Sequence, residues 1–239
     1  MNKFFGCIML LCILLFSSCI FNNKKVEGNG KFAAEKRTIK NGSKIKVEGN
    51  INVIIENGLL DARVETDENL VPFVLTSNDG DWLRIAVKER VSLHSSKPIT
   101  VYISTPTISE VKVAGSGNVT SVGKFSSNEK MSFALAGSGN LTMTTSSPDL
   151  GAAIAGSGTL HLSGETRNLK AKIAGSGNFE GADLKAENVD VHIAGSGDAV
   201  VYAETTLSAS IAGSGSVKYK GNAKVEKHVA GSGEVVKEQ

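Results

Sequence analysis

Seven copies of the tetrapeptide Ala-Gly-Ser-Gly punctuate the second half of this 239-residue chain, starting at Ala114, Ala136, Ala155, Ala174, Ala194, Ala212 and Ala230. Successive copies lie 22, 19, 19, 20, 18 and 18 residues apart. Self-similarity at a nearly fixed period marks an architecture of stacked units, none of which can bury its apolar face alone. An apolar residue precedes each Ala: Val113, Leu135, Ile154, Ile173, Ile193, Ile211 and Val229. Another stands five residues after it: Val119, Leu141, Leu160, Phe179, Ala199, Val217 and Val235. Between them the chain alternates with period two, as in Leu160-His161-Leu162 and Val191-His192-Ile193, the pattern of strands with one buried face. Two glycines in every signature, with Ser, Thr and Val dense around them, oppose helix.

A unit of 18 to 22 residues is too short for a propeller blade or a helical solenoid unit, and the Leu and Asn spacing of leucine-rich repeats is absent. It suits one coil of three short strands and three turns, since each residue of a strand advances about 3.3 Å. The expected fold is therefore all-β, with residues 111–239 forming a parallel β-helix, a single-stranded solenoid. Coils stacked about 4.8 Å apart over six intervals would make a rod of roughly 29 Å. Counting by two from Val113 turns Gly115 and Gly117 inward and Ala114 and Ser116 outward if the strand stays straight. The same count applies to Gly137 and Gly139, Gly156 and Gly158, Gly175 and Gly177, Gly195 and Gly197, Gly213 and Gly215, and Gly231 and Gly233. Such glycines either let the wall approach the axis or permit a bend with positive φ, and both readings stay open. In either case Ser116, Ser138, Ser157, Ser176, Ser196, Ser214 and Ser232 form a column, with hydroxyls expected to bond one another or nearby backbone.

The chain starts differently. Lys3 precedes an apolar run from Phe4 to Phe16, and Ser17, Ser18 and Cys19 close it, the layout of a secretory signal. About 13 apolar residues fall short of the roughly 20 that span a bilayer. Leu15-Phe16-Ser17-Ser18-Cys19 resembles the lipobox of bacterial lipoproteins. That resemblance implies a signal peptide over residues 1–18, a lipid-modified Cys19 that anchors the chain in a membrane, and a tether over 19–30. Ile20 is not the Asp of the familiar inner-membrane retention signal, and no acidic run follows. The expected location is the cell envelope, as an outer-membrane lipoprotein facing the periplasm. The cysteines are Cys7, Cys12 and Cys19, so cleavage would leave no pair for a disulfide. A formal net charge of +2 lacks the basic footprint of a nucleic-acid binder.

Residues 31–110 read as an N-terminal β-rich domain without the signature. Ile45-Lys46-Val47, Ile51-Asn52-Val53, Leu83-Arg84-Ile85 and Ile99-Thr100-Val101 alternate, with tight-turn candidates at Asn57-Gly58 and Asp79-Gly80. Hairpins are expected here, either as an antiparallel layer flanking the rod or as broader coils continuing it. Pro106 is expected to mark the change of register. Trp82, beside a turn, is expected to anchor the core, with an aromatic platform shared with Tyr102 as the alternative.

Chemistry is hard to place on this pattern. His192 and His228 share an outward column with Ser210 between them, and two coils, about 9.6 Å, are too far apart for one metal ion. His94 and His161 lie elsewhere, so no metal and no cofactor is expected. The repeated Ser is inserted identically in coil after coil and is not singled out beside a His and a carboxylate. Nor does the signature match the Gly-x-Ser-x-Gly elbow or the phosphate loop. Asp183, Glu187, Asp190 and Asp198 are the best candidates for paired acid and base work on a polysaccharide, although solvated coil edges account for them equally. The residue after each signature is polar: Asn118, Asn140, Thr159, Asn178, Asp198, Ser216 and Glu234. This stripe is the candidate binding surface for glycan or protein.

Val111-Lys112-Val113-Ala114-Gly115-Ser116-Gly117-Asn118-Val119, recurring every 18 to 22 residues, resembles the head domain called GIN of autotransporter adhesins. The resemblance extends over about residues 31–235 and takes in Val64-Glu65-Thr66-Asp67-Glu68-Asn69-Leu70. It implies an all-β structure with a right-handed β-helical part and a cell-envelope setting, and it brings no catalytic or binding residues. The function expected is that of a non-enzymatic envelope lipoprotein, an adhesin or a binding scaffold. The alternatives are a β-helical enzyme acting on envelope polysaccharide and a structural protein that self-assembles as a homo-oligomer through the rod ends.

Overall fold

The computed structural model describes residues 24–238, so the readings of the signal peptide, the lipobox and Cys19 lie outside the described residues. Nine strands precede the first signature: β1 (Lys24–Glu27), β2 (Phe32–Arg37), β3 (Lys44–Gly49), β4 (Asn52–Asn57), β5 (Asp61–Asp67), β6 (Val74–Asp79), β7 (Trp82–Val87), β8 (Val91–His94) and β9 (Thr100–Thr105), with one 3-10 turn at Val71–Phe73. Ten more carry the repeats: β10 (Glu110–Gly115), β11 (Asn118–Ser126), β12 (Met131–Gly137), β13 (Asn140–Gly156), β14 (Thr159–Gly175), β15 (Asn178–Gly195), β16 (Asp198–Gly213), β17 (Ser216–Lys220), β18 (Lys224–Gly231) and β19 (Glu234–Lys237).

Each signature stacks on the next in parallel register. Ala114 lies beside Ala136, and the column continues through Ala155, Ala174, Ala194, Ala212 and Ala230. The apolar residues on either side of the signature form the inner columns. The one that starts at Val113 is buried down to Ile211, and the one that starts at Val119 is buried down to Val217. These join one hydrophobic core that runs from Ile39 to Val217. A β-helix follows because period-two alternation turns one face of every strand toward that shared core, and stacking gives each backbone a partner above and below.

Both readings of the glycines hold, one for each. The first Gly of each signature has a φ between +115° and +135°, a bend that a residue with a Cβ resists. The second Gly is a close approach. A Cβ on Gly139 would stand 2.1 Å from the carbonyl oxygen of Gly117 in the coil above, and one on Gly197 2.3 Å from that of Gly177. The serines form the expected column, but the bonding expected of their hydroxyls is corrected. All seven hydroxyls face solvent, and among the described residues none makes a side-chain hydrogen bond. The serine backbone makes the bond instead: Ser157 N–H donates to the Gly137 carbonyl, Ser176 to Gly156 and Ser196 to Gly175, each at 2.9 Å. The bend at each first Gly aims its carbonyl along the stack, which leaves the serine side chain nothing to do at the joint.

The first half both continues the rod and caps it. β3 runs beside β10 in the same register, so Glu48-Gly49-Asn50-Ile51 occupies the signature's place one coil earlier, and the ladders cross residue 110 without a break. Gly49 has φ +93°, and its carbonyl accepts the N–H groups of Ser116 and Gly117 at 3.2 and 3.1 Å. Beyond this coil the sheet turns antiparallel: β5 pairs with β2 on one side and β9 on the other, and β6 with β7. Asp79-Gly80 closes the β6–β7 hairpin as expected. Asn57-Gly58 does not close a hairpin, because β4 and β5 flank β9 instead of pairing with each other. Lys24–Glu27, read as tether, is a strand paired in parallel with β8. Asp67, 2% exposed, fixes this end by accepting the N–H of Gly30 at 2.9 Å and the N–H and hydroxyl of Ser96 at 2.7 and 2.6 Å. The Ser96 hydroxyl, then its N–H, hold the Asp67 carboxyl below the usual range.

Trp82 is not a core anchor. Leu83 and Ile85 take the inward positions of β7, so alternation sends Trp82 to the outer face, where the Lys112 ammonium lies 4.3 Å from its ring centre. At the far end, the inward column that holds Val191 and Ala209 ends in Lys227, and the one that holds Val201 and Tyr219 ends in Lys237. Charge on inward positions of an edge strand discourages another strand from adding to it.

Two outcomes follow from this architecture. Gly175→Ala, at φ +115° with a Cβ 2.6 Å from the Gly156 oxygen, should lower stability to urea by about 1–3 kcal/mol, whereas the adjacent Ser176→Ala should stay within about 0.5 kcal/mol. Equal losses would contradict the corner described above. Lys227→Val with Lys237→Val should produce concentration-dependent association in sedimentation velocity that the native chain does not show, and an unchanged profile would mean that these lysines do not guard the end.

Candidate functional site

Two depressions of the outer surface flank the Gly-Ser-Gly corner, one on either side. The first contains part of the predicted stripe. Asn118, Asn140 and Thr159, with Thr120, Thr142, His161 and Glu180, line a shallow polar hollow of about 530 Å³. Asn178, Asp198 and Ser216 continue the column outside it. Much of the stripe's hydrogen-bonding capacity is spent within the stack. Asn140 Nδ2 donates to Asn118 Oδ1 at 2.8 Å, Asn118 Nδ2 to Asn52 Oδ1 at 3.2 Å, and Ser216 Oγ to Asp198 Oδ1 at 2.7 Å. A second ladder at another corner follows the same rule: Asn168 donates to Asp149 at 2.8 Å, Asn188 to Asn168 at 3.1 Å and Thr206 to Asn188 at 2.8 Å. Stacked Asn is thus a way of closing corners in this fold, and Asn118, Asn140, Asp198 and Ser216 of the stripe are engaged within the stack.

The second depression is longer and of opposite character. It is an open trough of about 990 Å³ that runs from the first coil to the last described one. Its floor is the signature alanine column, Ala114 to Ala230. One wall is the column two residues upstream, which reads Lys46, Lys112, Ala134, Ala153, Lys172, His192, Ser210 and His228. The histidine column predicted from spacing is therefore a wall of this trough. The alanines are outward residues of strands whose inner neighbours fill the core, so they leave a smooth surface that water covers at some cost. No carboxylate lines the trough, while four lysines and two histidines do.

The N-terminal end is closed by charge. The alanine column ends at Glu48, whose carboxylate binds Lys46 at 2.6 Å and Arg84 at 2.6 Å. The Lys46 hydrogen bond outweighs partial burial and, with Arg84, holds the Glu48 carboxyl below its usual range. Lys112 is engaged by Glu110 at 2.7 Å and by the Trp82 ring, and Lys170 by Asp190. Lys172 has no ion pair among the described residues.

The acidic candidates are not brought together. Asp190 is held by Lys170 and by His192 at 2.9 Å, on the trough side. Asp198 accepts from Ser216 beyond the corner, and Asp183 and Glu187 are exposed. Burial pushes the Asp190 carboxyl up, but the Lys170 hydrogen bond and the His192 charge bring it below the usual range. A general acid needs the reverse shift. Among the described residues no group of three His, Cys, Asp or Glu could hold a metal ion.

A sequence profile of the family described as "Putative auto-transporter adhesin, head GIN domain" matches residues 42–223. Among solved structures the chain is similar to a protein described as a putative lipid binding protein from Parabacteroides distasonis ATCC 8503. The two are 25% identical over 90% of this chain and 100% of that one, with a TM-score of 0.78. It is also similar to a protein described as a putative adhesin from Parabacteroides merdae ATCC 43184, at 25% identity, 90% and 100% coverage and a TM-score of 0.71. Another, from Bacteroides fragilis NCTC 9343, shares the fold with a TM-score of 0.82 at 20% identity over 89% of this chain and 100% of that one. No protein of curated function matches the sequence.

Proposed function

The chain belongs to the auto-transporter adhesin head GIN domain family, and from that premise we propose that it is a non-enzymatic, lipid-anchored binding protein of the cell envelope whose ligand-holding face is the alanine trough. The observation that carries this reading is the trough's composition: an unbroken apolar floor along the rod, a partly cationic wall and no lining carboxylate. Soluble proteins seldom expose long contiguous apolar strips, and those that do commonly use them to bind. The anchor rests on Leu15-Phe16-Ser17-Ser18-Cys19, and β1 begins five residues after Cys19, which would keep the capped end near the membrane and direct the rod away from it. An envelope setting agrees with the adhesin descriptions of the similar proteins.

The polysaccharide-enzyme alternative is disfavoured by the dispersal of Asp183, Glu187, Asp190 and Asp198 and by the lowered pKa of Asp190. Self-assembly through the open end is disfavoured by Lys227 and Lys237 in its inward columns.

Lysine acetylation of the native chain in isolated envelopes and after delipidating purification, alongside a Cys19→Ala variant labelled with radioactive palmitate, tests both halves. Lys172 should react more slowly in envelopes than in the purified protein while Lys218, on another face, does not change. The palmitate label and membrane retention should disappear in Cys19→Ala. Equal reactivity of Lys172 in both states would sink the trough as the binding face, and a labelled Cys19→Ala would sink the anchor.

A further inference from the structure

The trough is not uniform along its length. Between Lys112 and Lys172 the wall consists of Ala134 and Ala153, so in this stretch floor and wall are both alanine. Lys112 to Lys172 is three coil spacings, about 14 Å. Half of a hydrocarbon core of roughly 30 Å, the extent of one acyl chain, is about 15 Å. Spread over the seven coil spacings from Lys46 to His228, roughly 34 Å, the volume of about 990 Å³ leaves a narrow section with room for a single extended chain. The two ends of the alanine stretch differ in charge availability. Lys112 is neutralised by Glu110 and stacked on Trp82, and beyond it Lys46 is neutralised by Glu48. Lys172 is the ammonium without a carboxylate partner, and it stands where the all-alanine stretch ends.

We propose that this trough binds a long-chain fatty acid, with its tail laid along Ala153, Ala155, Ala134 and Ala136 toward the closed end at Glu48 and its carboxylate on Lys172. Apolar burial along the tail supplies affinity and is indifferent to direction. Lys172, which has no ion pair among the described residues, supplies the direction, because Lys112 and Lys46 are already engaged by Glu110 and Glu48. The inference rests on the trough being the binding face and adds the chemical class of its ligand.

The test is calorimetric titration of residues 20–239, which hold every described strand, with laurate and with dodecyltrimethylammonium, two amphiphiles of equal tail length and opposite head charge. Laurate should bind one to one, and dodecyltrimethylammonium at least about tenfold more weakly, the value of a charge-assisted contact. Lys172→Gln should cost laurate about tenfold and leave the cationic amphiphile unchanged. Ala153→Gln and, separately, Ala134→Gln should weaken both amphiphiles. These are outward positions, so the β-sheet circular dichroism should be retained. Equal affinity for the two head charges, or laurate binding unaffected by all three variants, overturns the proposal. Absence of laurate binding while Lys172 stays protected in envelopes also overturns it, and would assign the trough to a protein or glycan partner. Absence of both effects overturns the trough as a binding face as well.

Discussion

Everything in this rod hangs on one hydrogen bond repeated at a corner. In each coil the first signature Gly bends at positive φ and turns its carbonyl along the stack, where the Ser N–H of the next coil meets it at 2.9 to 3.2 Å. The second Gly then packs on the backbone above, in a space no Cβ could share. A side chain at either place would part the coils, and the core columns that begin at Val113 and Val119 are continuous only because the corners keep register. Glu48-Gly49-Asn50-Ile51 shows which parts of the signature are indispensable. It keeps the bending Gly and replaces the second with Ile51, where strands of the cap and no signature coil lie above.

How much of this was legible depended on whether the relevant force was local or distant. Period-two alternation and the spacing of Val113 and Val119 are local, and they specify strands, inward columns and parallel stacking. The coil at Ile45 to Val53 carries the same alternation, but Glu48 and Ile51 disguise its signature, so its continuity with the later coils emerges only from the register with β10. The separation of parallel from antiparallel pairing in the first half depends on β9 inserting between β4 and β5, a long-range choice that Asn57-Gly58 does not encode. A place beside a turn makes Trp82 a candidate core anchor, but the alternation of Leu83 and Ile85 along the same strand assigns it outward.

The functional surface was legible in part. Polar residues in a row suggest a binding stripe, yet Asn140 donates to Asn118 and Asn118 to Asn52 within the stack. The stronger signal was the alanine of the signature itself. An outward strand position facing water is ordinarily polar, and here it is Ala in seven consecutive coils, joined by Ala134 and Ala153. The glycines and serine make the joint and the alanine makes the surface, so one tetrapeptide specifies both the stacking of the coils and the trough that stacking creates.

The most direct measurement is the crystal structure of the protein purified gently from its own envelope, with its native ligand retained. Elongated density lying over Ala134 and Ala153 and reaching Lys172 is the result this account predicts. An ordered ligand seated instead on the Asn118 and Asn140 stripe, with the alanine trough filled only by water, would contradict it.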